Sequence, residues 1–117
     1  LDKTLVVITA DHGEEFLDHD YVEHAWRVYW ESVHVPLIFH APRALPPARL
    51  PDRVSLADLA PTLLTFAGIP HDAAHFDGAA LFRKEQDQWA FTPHGKPIIA
   101  ENLMQSRNPV RMVQDGD

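Results

Sequence analysis

The sequence predicts an α/β fold, and three segments support this class. TLVVITA (residues 4–10) is β-branched and apolar on both faces, which is typical of a central strand in a parallel sheet. VPLIFHA (residues 35–41) has the composition of a second buried strand, with Pro36 near its start. DLAPTLLTFAGIP (residues 58–70) carries the clearest helical pattern of the chain. Strand, loop, strand and helix in this order are typical of an α/β domain.

The predicted helix over residues 58–70 has recognisable ends. Asp58 is the expected N-cap, and Pro61 falls in the first turn, where its missing N–H loses no intrahelical bond. Gly68 and Pro70 are expected to end the helix. One face is predicted to be the buried one, and it carries Leu59, Leu63, Phe66 and Ala67.

The rest of the chain contains fewer signals. Residues 71–96 mix polar and turn-forming residues, and we predict irregular surface there. KPIIAENL and NPVRMVQDGD are predicted strands, and the turn residues of QSRNP between them indicate a short antiparallel element at the C-terminal end. We therefore divide the chain into an α/β part, 1–96, and the start of a small antiparallel subdomain, 97–117. Because parallel neighbours need long crossovers, we expect the sequence to be the later part of a larger domain.

Composition excludes several classes of function. The 117 residues are 45% hydrophobic, as in ordinary globular proteins, and carry a formal charge of -7. This charge, with no lysine or arginine stripe, disfavours nucleic-acid binding. The apolar runs are too short to cross a bilayer, so we expect no membrane segment, and the compartment stays open. Since the chain has no cysteine, any metal must be bound by oxygen and imidazole ligands.

The segment ITADHGEE (residues 8–15) carries the main functional signal. Asp11 and His12 directly follow the first predicted strand, and ligands of α/β sheets bind at the carboxyl ends of strands. A carboxylate beside an imidazole can bind one divalent ion from two sides if the backbone turns sharply, and Gly13 permits such a turn. By itself the dipeptide is a weak signal, because a turn aspartate beside a surface histidine gives the same pattern.

The surrounding sequence resembles the sulfatase family of the alkaline phosphatase superfamily. The resemblance is carried by TLVVITADHGEEFLDHDYVEHAWRVYWESVHVPLIFHAPR, by VSLADLAPTLLTFAGIP and DGAALF, and by AENLM and VRMVQDGD. It implies a partial alkaline-phosphatase-like sandwich with parallel central strands and helices. It also implies a metal-dependent hydrolase of sulfuric esters in which Asp11 and His12 are metal ligands. The other ligands and a formylglycine nucleophile are expected upstream, so this fragment alone should not turn over substrate.

Further site residues follow from the same resemblance. In relatives, the histidine of a GHG segment about ten positions before HVPL lies in the active site, which makes His24 the candidate catalytic histidine. The flanking residues here are Glu23 and Ala25, which departs from that pattern. His19, in LDHD, resembles the histidine of the family's EHG stretch and is a candidate for a substrate contact or for supporting the ligands. Glu14 is a candidate for supporting the metal ligands through hydrogen bonds.

Other identities stay open at this point. The metal is expected to be one divalent cation, calcium first, with manganese and zinc as alternatives. The substrate is expected to be a small-molecule or glycan sulfate ester, and a homo-oligomer is compatible with the sequence. A phosphonate or phosphodiester hydrolase, or a phosphoethanolamine-type transferase, would use a similar aspartate-histidine pair and a phosphoester substrate. A non-catalytic binding or assembly domain is the alternative outside enzymes.

Overall fold

The computed structural model describes residues 2–20, 27–102 and 110–114. The described part has a mixed α/β architecture built from short elements. The paired strands are Val6–Thr9 (β1) with Leu37–His40 (β2), Phe82–Glu85 (β3) with Gln88–Phe91 (β4), and Ile98–Asn102 (β5) with Val110–Gln114 (β6), and every pair is antiparallel. The α-helices are Trp30–Val33 (α1) and Leu59–Ala67 (α2), and 3₁₀ turns lie at Leu56–Asp58 and Ala73–His75.

The chain divides into two compact units. One contains the described part of Lys3–His40 together with β5 and β6, and the other is Ala41–Lys96. The division into 1–96 and 97–117 made from the sequence stays a prediction. Across the described ranges, none of the helices combines the length and the apolar character that a membrane span requires.

The predicted parallel arrangement of the first two strands is wrong. β1 pairs with β2 in antiparallel register, with Ile8 opposite Ile38 and Val7 opposite Phe39. The described part of the connection contains a helix of only four residues, α1, rather than the longer helix that usually joins parallel strands. Burial on both faces is also not observed, because Ile8 and Ile38 are 54% and 51% exposed. Both strands are shorter than predicted.

A small apolar core forms in the Ala41–Lys96 unit, in the region predicted to be irregular. Leu81 and Phe82 are buried, and Phe82 contacts Phe66 edge-to-face with ring centroids 5.5 Å apart. Phe66 also stacks on Trp89 at 4.0 Å, so the β3–β4 hairpin packs its aromatic side chains on α2. The hairpin turns at Gln86 and Asp87, whose φ angles of 45° and 72° are those of a type I′ turn. A hydrogen bond from Lys84 lowers the pKa of the Asp87 carboxyl.

Helix α2 ends as predicted, but only part of its predicted face is buried. Gly68 is the C-cap in the left-handed conformation, with φ 67°. Leu63 and Ala67 are exposed, whereas Pro61 and Thr62 are buried. The predicted cap is also different: Ser55 caps the preceding 3₁₀ turn, and the Asp58 side chain bonds back to the Ser55 N–H in a capping box.

The antiparallel element predicted at the C-terminal end is confirmed. β5 and β6 pair with Ile99 opposite Val113 and Glu101 opposite Arg111. Arg111 Nε lies 2.5 Å from Glu101 Oε1 on the exposed face of the pair. The predicted turn QSRNP lies outside the described residues.

Candidate active site

The loop that follows β1 is attached to α1 through Gly13. The Gly13 N–H donates to the Ser32 carbonyl at 2.8 Å. A Cβ on residue 13 would lie 1.9 Å from the Glu31 carbonyl oxygen, which is far inside van der Waals contact. Glycine is therefore required here by the close approach of two backbones. The hydrogen bond to Ser32 and this close contact hold the turn at residues 11–13 against α1.

Asp11 and His12 lie side by side at the start of this loop. The His12 N–H donates to Asp11 Oδ1 at 3.0 Å, and His12 Nδ1 lies 2.8 Å from the Gly13 carbonyl oxygen. Because a carbonyl oxygen only accepts, Nδ1 carries the proton in this contact, and Nε2 has the lone pair. Nε2 lies 3.8 Å from Asp11 Oδ2. Two electron-rich atoms thus face each other on an exposed turn.

This geometry fits a partial metal site. Two ligands of one ion, each at about 2.0–2.2 Å, can be no more than about 4.3 Å apart, and Nε2 and Oδ2 satisfy this limit. A backbone carbonyl at the other ring nitrogen is also the usual partner of a metal-binding histidine. Within residues 2–20, 27–102 and 110–114, however, no three histidine, aspartate or glutamate side chains converge as a metal site does. Asp11 and His12 are therefore two candidate ligands and do not form a complete site.

The two glutamates after the turn differ in their surroundings. Glu14 is half-buried, and its Oε1 accepts the Glu15 N–H at 3.3 Å. Glu15 is 1% exposed, and neither of its carboxylate oxygens has a hydrogen-bond partner in the part of the chain that the structure describes. An isolated buried carboxylate is costly, so Glu15 is an unexpected feature of this loop.

His19 lies at the far end of the same loop and contacts two residues at α1. Its ring stacks on Tyr29 with centroids 3.7 Å apart and planes 9° apart. Its Nδ1 lies 2.6 Å from Glu31 Oε1. The contact has the distance of an ion pair, although its direction is not that of a good hydrogen bond. Tyr29 thus contacts one face of the His19 ring, and Glu31 contacts its edge at Nδ1.

Sequence reasoning missed Glu31, and one predicted site residue has no structural account. Glu31 follows two aromatic residues in YWES and shows no helical or strand spacing relative to His19, so no periodic signal pointed to it. Tyr29 contacts the loop through His19, in keeping with its position before α1. His24, the candidate catalytic histidine, lies outside the described residues.

Comparison with known proteins decides the family. The Sulfatase family model matches residues 1–69 of this chain. This chain belongs to the sulfatase family. Arylsulfatase K of Mus musculus is 35% identical over 102 residues, which cover 85% of this chain and 18% of that protein. Arylsulfatase K of Rattus norvegicus is 40% identical over 70 residues and that of Homo sapiens 39% over 70 residues, each covering 60% of this chain.

The sulfatase-family chain spans a small part of these relatives, between 12% and 18% of their length in the mouse and rat proteins. The family match covers β1, the loop with Asp11 and His12, α1, β2 and α2. No solved structure matches the chain. The alkaline-phosphatase-like sandwich therefore stays a prediction.

Proposed function

We propose that the protein carrying this chain is a metal-dependent sulfatase, and that Asp11 and His12 are two ligands of its catalytic ion. The observation that carries the proposal is the pairing of His12 Nε2 with Asp11 Oδ2 at 3.8 Å, inside the segment that matches the family. The names of the relatives, arylsulfatases, support a sulfate ester as substrate. The ester is a small molecule or a glycan.

Asp11, His12 and Gly13 have different roles in binding the ion. Asp11 supplies a carboxylate whose negative charge offsets the charge of a divalent cation, and His12 supplies a neutral imidazole nitrogen. Gly13 carries the carbonyl that orients the imidazole, and its contact with α1 holds this carbonyl in place. When bound, the ion acts as a Lewis acid towards the sulfuryl oxygens.

The other parts of the active site are proposed to come from other segments of the complete protein. Two ligands do not complete a coordination shell, so further carboxylate or amide ligands are required. The formylglycine nucleophile expected for a sulfatase has no cysteine precursor in this sequence. His24 is proposed to contact the transferred group as a hydrogen-bond or proton donor near neutral pH. Calcium is the first choice of metal, with manganese and zinc next.

The decisive experiment compares two matched substitutions in the complete enzyme. Asp11→Asn keeps the size of the side chain and removes its charge, and we expect kcat/KM for an aryl sulfate to fall by about 10³-fold or more. Asp18→Asn makes the same change at an exposed position of the same loop and should leave kcat/KM unchanged. Metal content measured by mass spectrometry should fall only in the Asp11 variant. Normal turnover and metal content in Asp11→Asn would reject the assignment.

The alternative activities are outcomes of the same assay. A wild-type enzyme that cleaves an aryl phosphodiester or phosphonate faster than the aryl sulfate would be a phosphoester hydrolase, and transfer of phosphoethanolamine would identify a transferase. A protein that binds no divalent ion and cleaves none of these esters would be a binding or assembly domain. His24→Ala should lower kcat less than Asp11→Asn does, and an unchanged kcat would remove His24 from the site.

A further inference from the structure

The loop between Asp11 and Asp20 contacts α1 near both of its ends. Near the first end, the Gly13 N–H bonds to the Ser32 carbonyl at 2.8 Å. Near the second end, His19 Nδ1 lies 2.6 Å from Glu31 Oε1. Adjacent residues of one short helix therefore hold the proposed metal-binding turn and His19. A change in α1 would move both.

The surroundings of His19 fix the ring in two directions. Tyr29 stacks on it at 3.7 Å, which restrains the plane of the imidazole, and Glu31 lies at Nδ1, which restrains its rotation within this plane. Nε2 is on the opposite side of the ring from Nδ1. The His19 side chain is 41% exposed, so the ring is not sealed off from a ligand.

The backbone around His19 is strained. Leu17 and Asp20 have φ angles of 75° and 65°, in the left-handed region that residues with a Cβ rarely adopt. A residue with a Cβ adopts this conformation at an energetic cost, and backbone strain is concentrated at functional sites. Because a solvent-exposed ion pair contributes little to stability, the His19–Glu31 contact does not offset this cost.

We propose that Glu31 and Tyr29 are positioning residues that hold His19 so that its Nε2 meets an oxygen of the sulfate ester. The proposal rests on the proposed function and adds two residues to it. Because the Glu31 carboxylate occupies the position 2.6 Å from Nδ1, Nε2 is the nitrogen that can hydrogen-bond to a sulfuryl oxygen. A carboxylate behind an imidazole fixes the orientation of the ring, as in catalytic triads. Glu31 and Tyr29 act through His19 and do not themselves contact substrate.

The test uses two pairs of variants of the complete enzyme. Glu31→Gln removes the charge at Nδ1, and we expect kcat for an aryl sulfate to fall about tenfold to a hundredfold with a smaller change in KM. Glu101→Gln is the control, because Glu101 is also a glutamate in an ion pair, on the exposed face of the β5–β6 pair, and it should leave kcat unchanged. Tyr29→Phe keeps the stacked ring and should retain activity, whereas Tyr29→Leu should lower kcat.

A second readout observes His19 directly. Imidazole ¹⁵N chemical shifts of His19 should move in Glu31→Gln and stay in place in Glu101→Gln. Addition of inorganic sulfate should shift the His19 Nε2 resonance in the wild type and shift it less in Glu31→Gln. His19 resonances that do not respond to Glu31→Gln would overturn the proposal. Changed resonances with an unchanged kcat would also overturn it, since the pair would then be structural.

The Asp11→Asn variant distinguishes failure of the proposed metal site from failure of the proposed positioning role. If Asp11→Asn turns over sulfate ester at the wild-type rate while Glu31→Gln still lowers kcat, the metal assignment fails and the positioning role stands. If Asp11→Asn is inactive and Glu31→Gln is fully active, the positioning role fails and the metal assignment stands.

Discussion

Asp58 and His94 meet inside the Ala41–Lys96 unit, where Asp58 Oδ1 lies 3.0 Å from His94 Nε2. The Asp58 carboxylate also accepts the Ser55 N–H and the Ala79 N–H, each at 2.8 Å. His94 Nδ1 accepts the Lys96 N–H, so the neutral ring carries its proton on Nε2, next to Asp58. One buried carboxylate thus joins three segments that are distant in sequence.

Replacement of Asp58 should therefore be strongly destabilising. Asp58→Ala leaves the Ser55 and Ala79 N–H groups without their acceptor and removes the carboxylate beside His94, and we expect a loss of about 3–5 kcal/mol in the free energy of unfolding. Asp72→Ala is the control, because Asp72 accepts a single N–H, from Ala74, on an exposed 3₁₀ turn, and its loss should cost about 1 kcal/mol. Urea unfolding followed by circular dichroism measures both. Equal losses would contradict the buried role of Asp58.

The two threonines of α2 allow a sharper comparison. Thr62 is fully buried; its hydroxyl donates to the Asp58 carbonyl at 2.6 Å and accepts the Leu81 N–H at 3.0 Å. Thr62→Val leaves the buried Leu81 N–H without a partner, and we expect a loss of about 1–3 kcal/mol. The Thr65 hydroxyl only donates, to the Pro61 carbonyl at 2.8 Å, so Thr65→Val should cost less than about 1 kcal/mol. Urea midpoints in the opposite order would show that the Thr62 bonds do not matter.

The sequence predicted some features of this unit, and it could not predict others. The end of α2 at Gly68 could be predicted because only glycine adopts the left-handed cap without a Cβ penalty. The β3–β4 hairpin was missed because its turn, Gln86-Asp87, has none of the Gly or Asn residues that usually favour positive φ. The tertiary bond from Ala79 to Asp58 crosses 21 positions, and local capping patterns cannot reveal such a bond. Apolar strands likewise do not reveal whether their partner runs parallel or antiparallel.

At the candidate site, the sequence indicated which neighbouring residues lie together, but it did not indicate which residues distant in sequence are in contact. Asp11 and His12 are neighbours in the chain, and their polar atoms also lie close together in the structure. Glu31 is close to His19 only because the loop folds back on α1, which depends on the absence of a side chain at Gly13. A single sequence gives the residue types at such a site, but the fold decides which of them meet.

Gly13→Ala should disrupt this fold-back. The added Cβ would overlap the Glu31 carbonyl oxygen, and since both atoms are fixed to backbone, the loop must move away from α1. We expect faster amide exchange at residue 13 and, in the complete enzyme, weaker metal binding. Gly95→Ala is the control: the added Cβ would meet open space at a φ of 62°, so only about 1 kcal/mol of backbone strain is expected. Unchanged exchange at residue 13 would argue against the tight contact.

The buried carboxylate of Glu15 should destabilise the folded state. Glu15→Leu replaces a 1% exposed carboxylate without a described partner by an apolar side chain of similar size. We expect the free energy of unfolding to rise by about 1–3 kcal/mol. Glu85→Leu, on the exposed end of β3, should change it by less than about 0.5 kcal/mol. A loss of stability in Glu15→Leu would mean that the carboxylate binds a cationic group.

The buried hydrogen bonds accepted by Asp58 and Thr62 determine where the Ala41–Lys96 unit tolerates insertions. Asp58 accepts from the Ser55 and Ala79 N–H groups and Thr62 accepts from the Leu81 N–H, and the turn at Gln86-Asp87 takes no part in these bonds. Extra residues at that turn would lengthen the hairpin tip at a small entropic cost and leave the buried contacts in place. One extra residue between Gly78 and Leu81 would shift both amides away from their acceptors. Length variation in homologous chains should therefore be common at the hairpin tip and rare at residues 78–81.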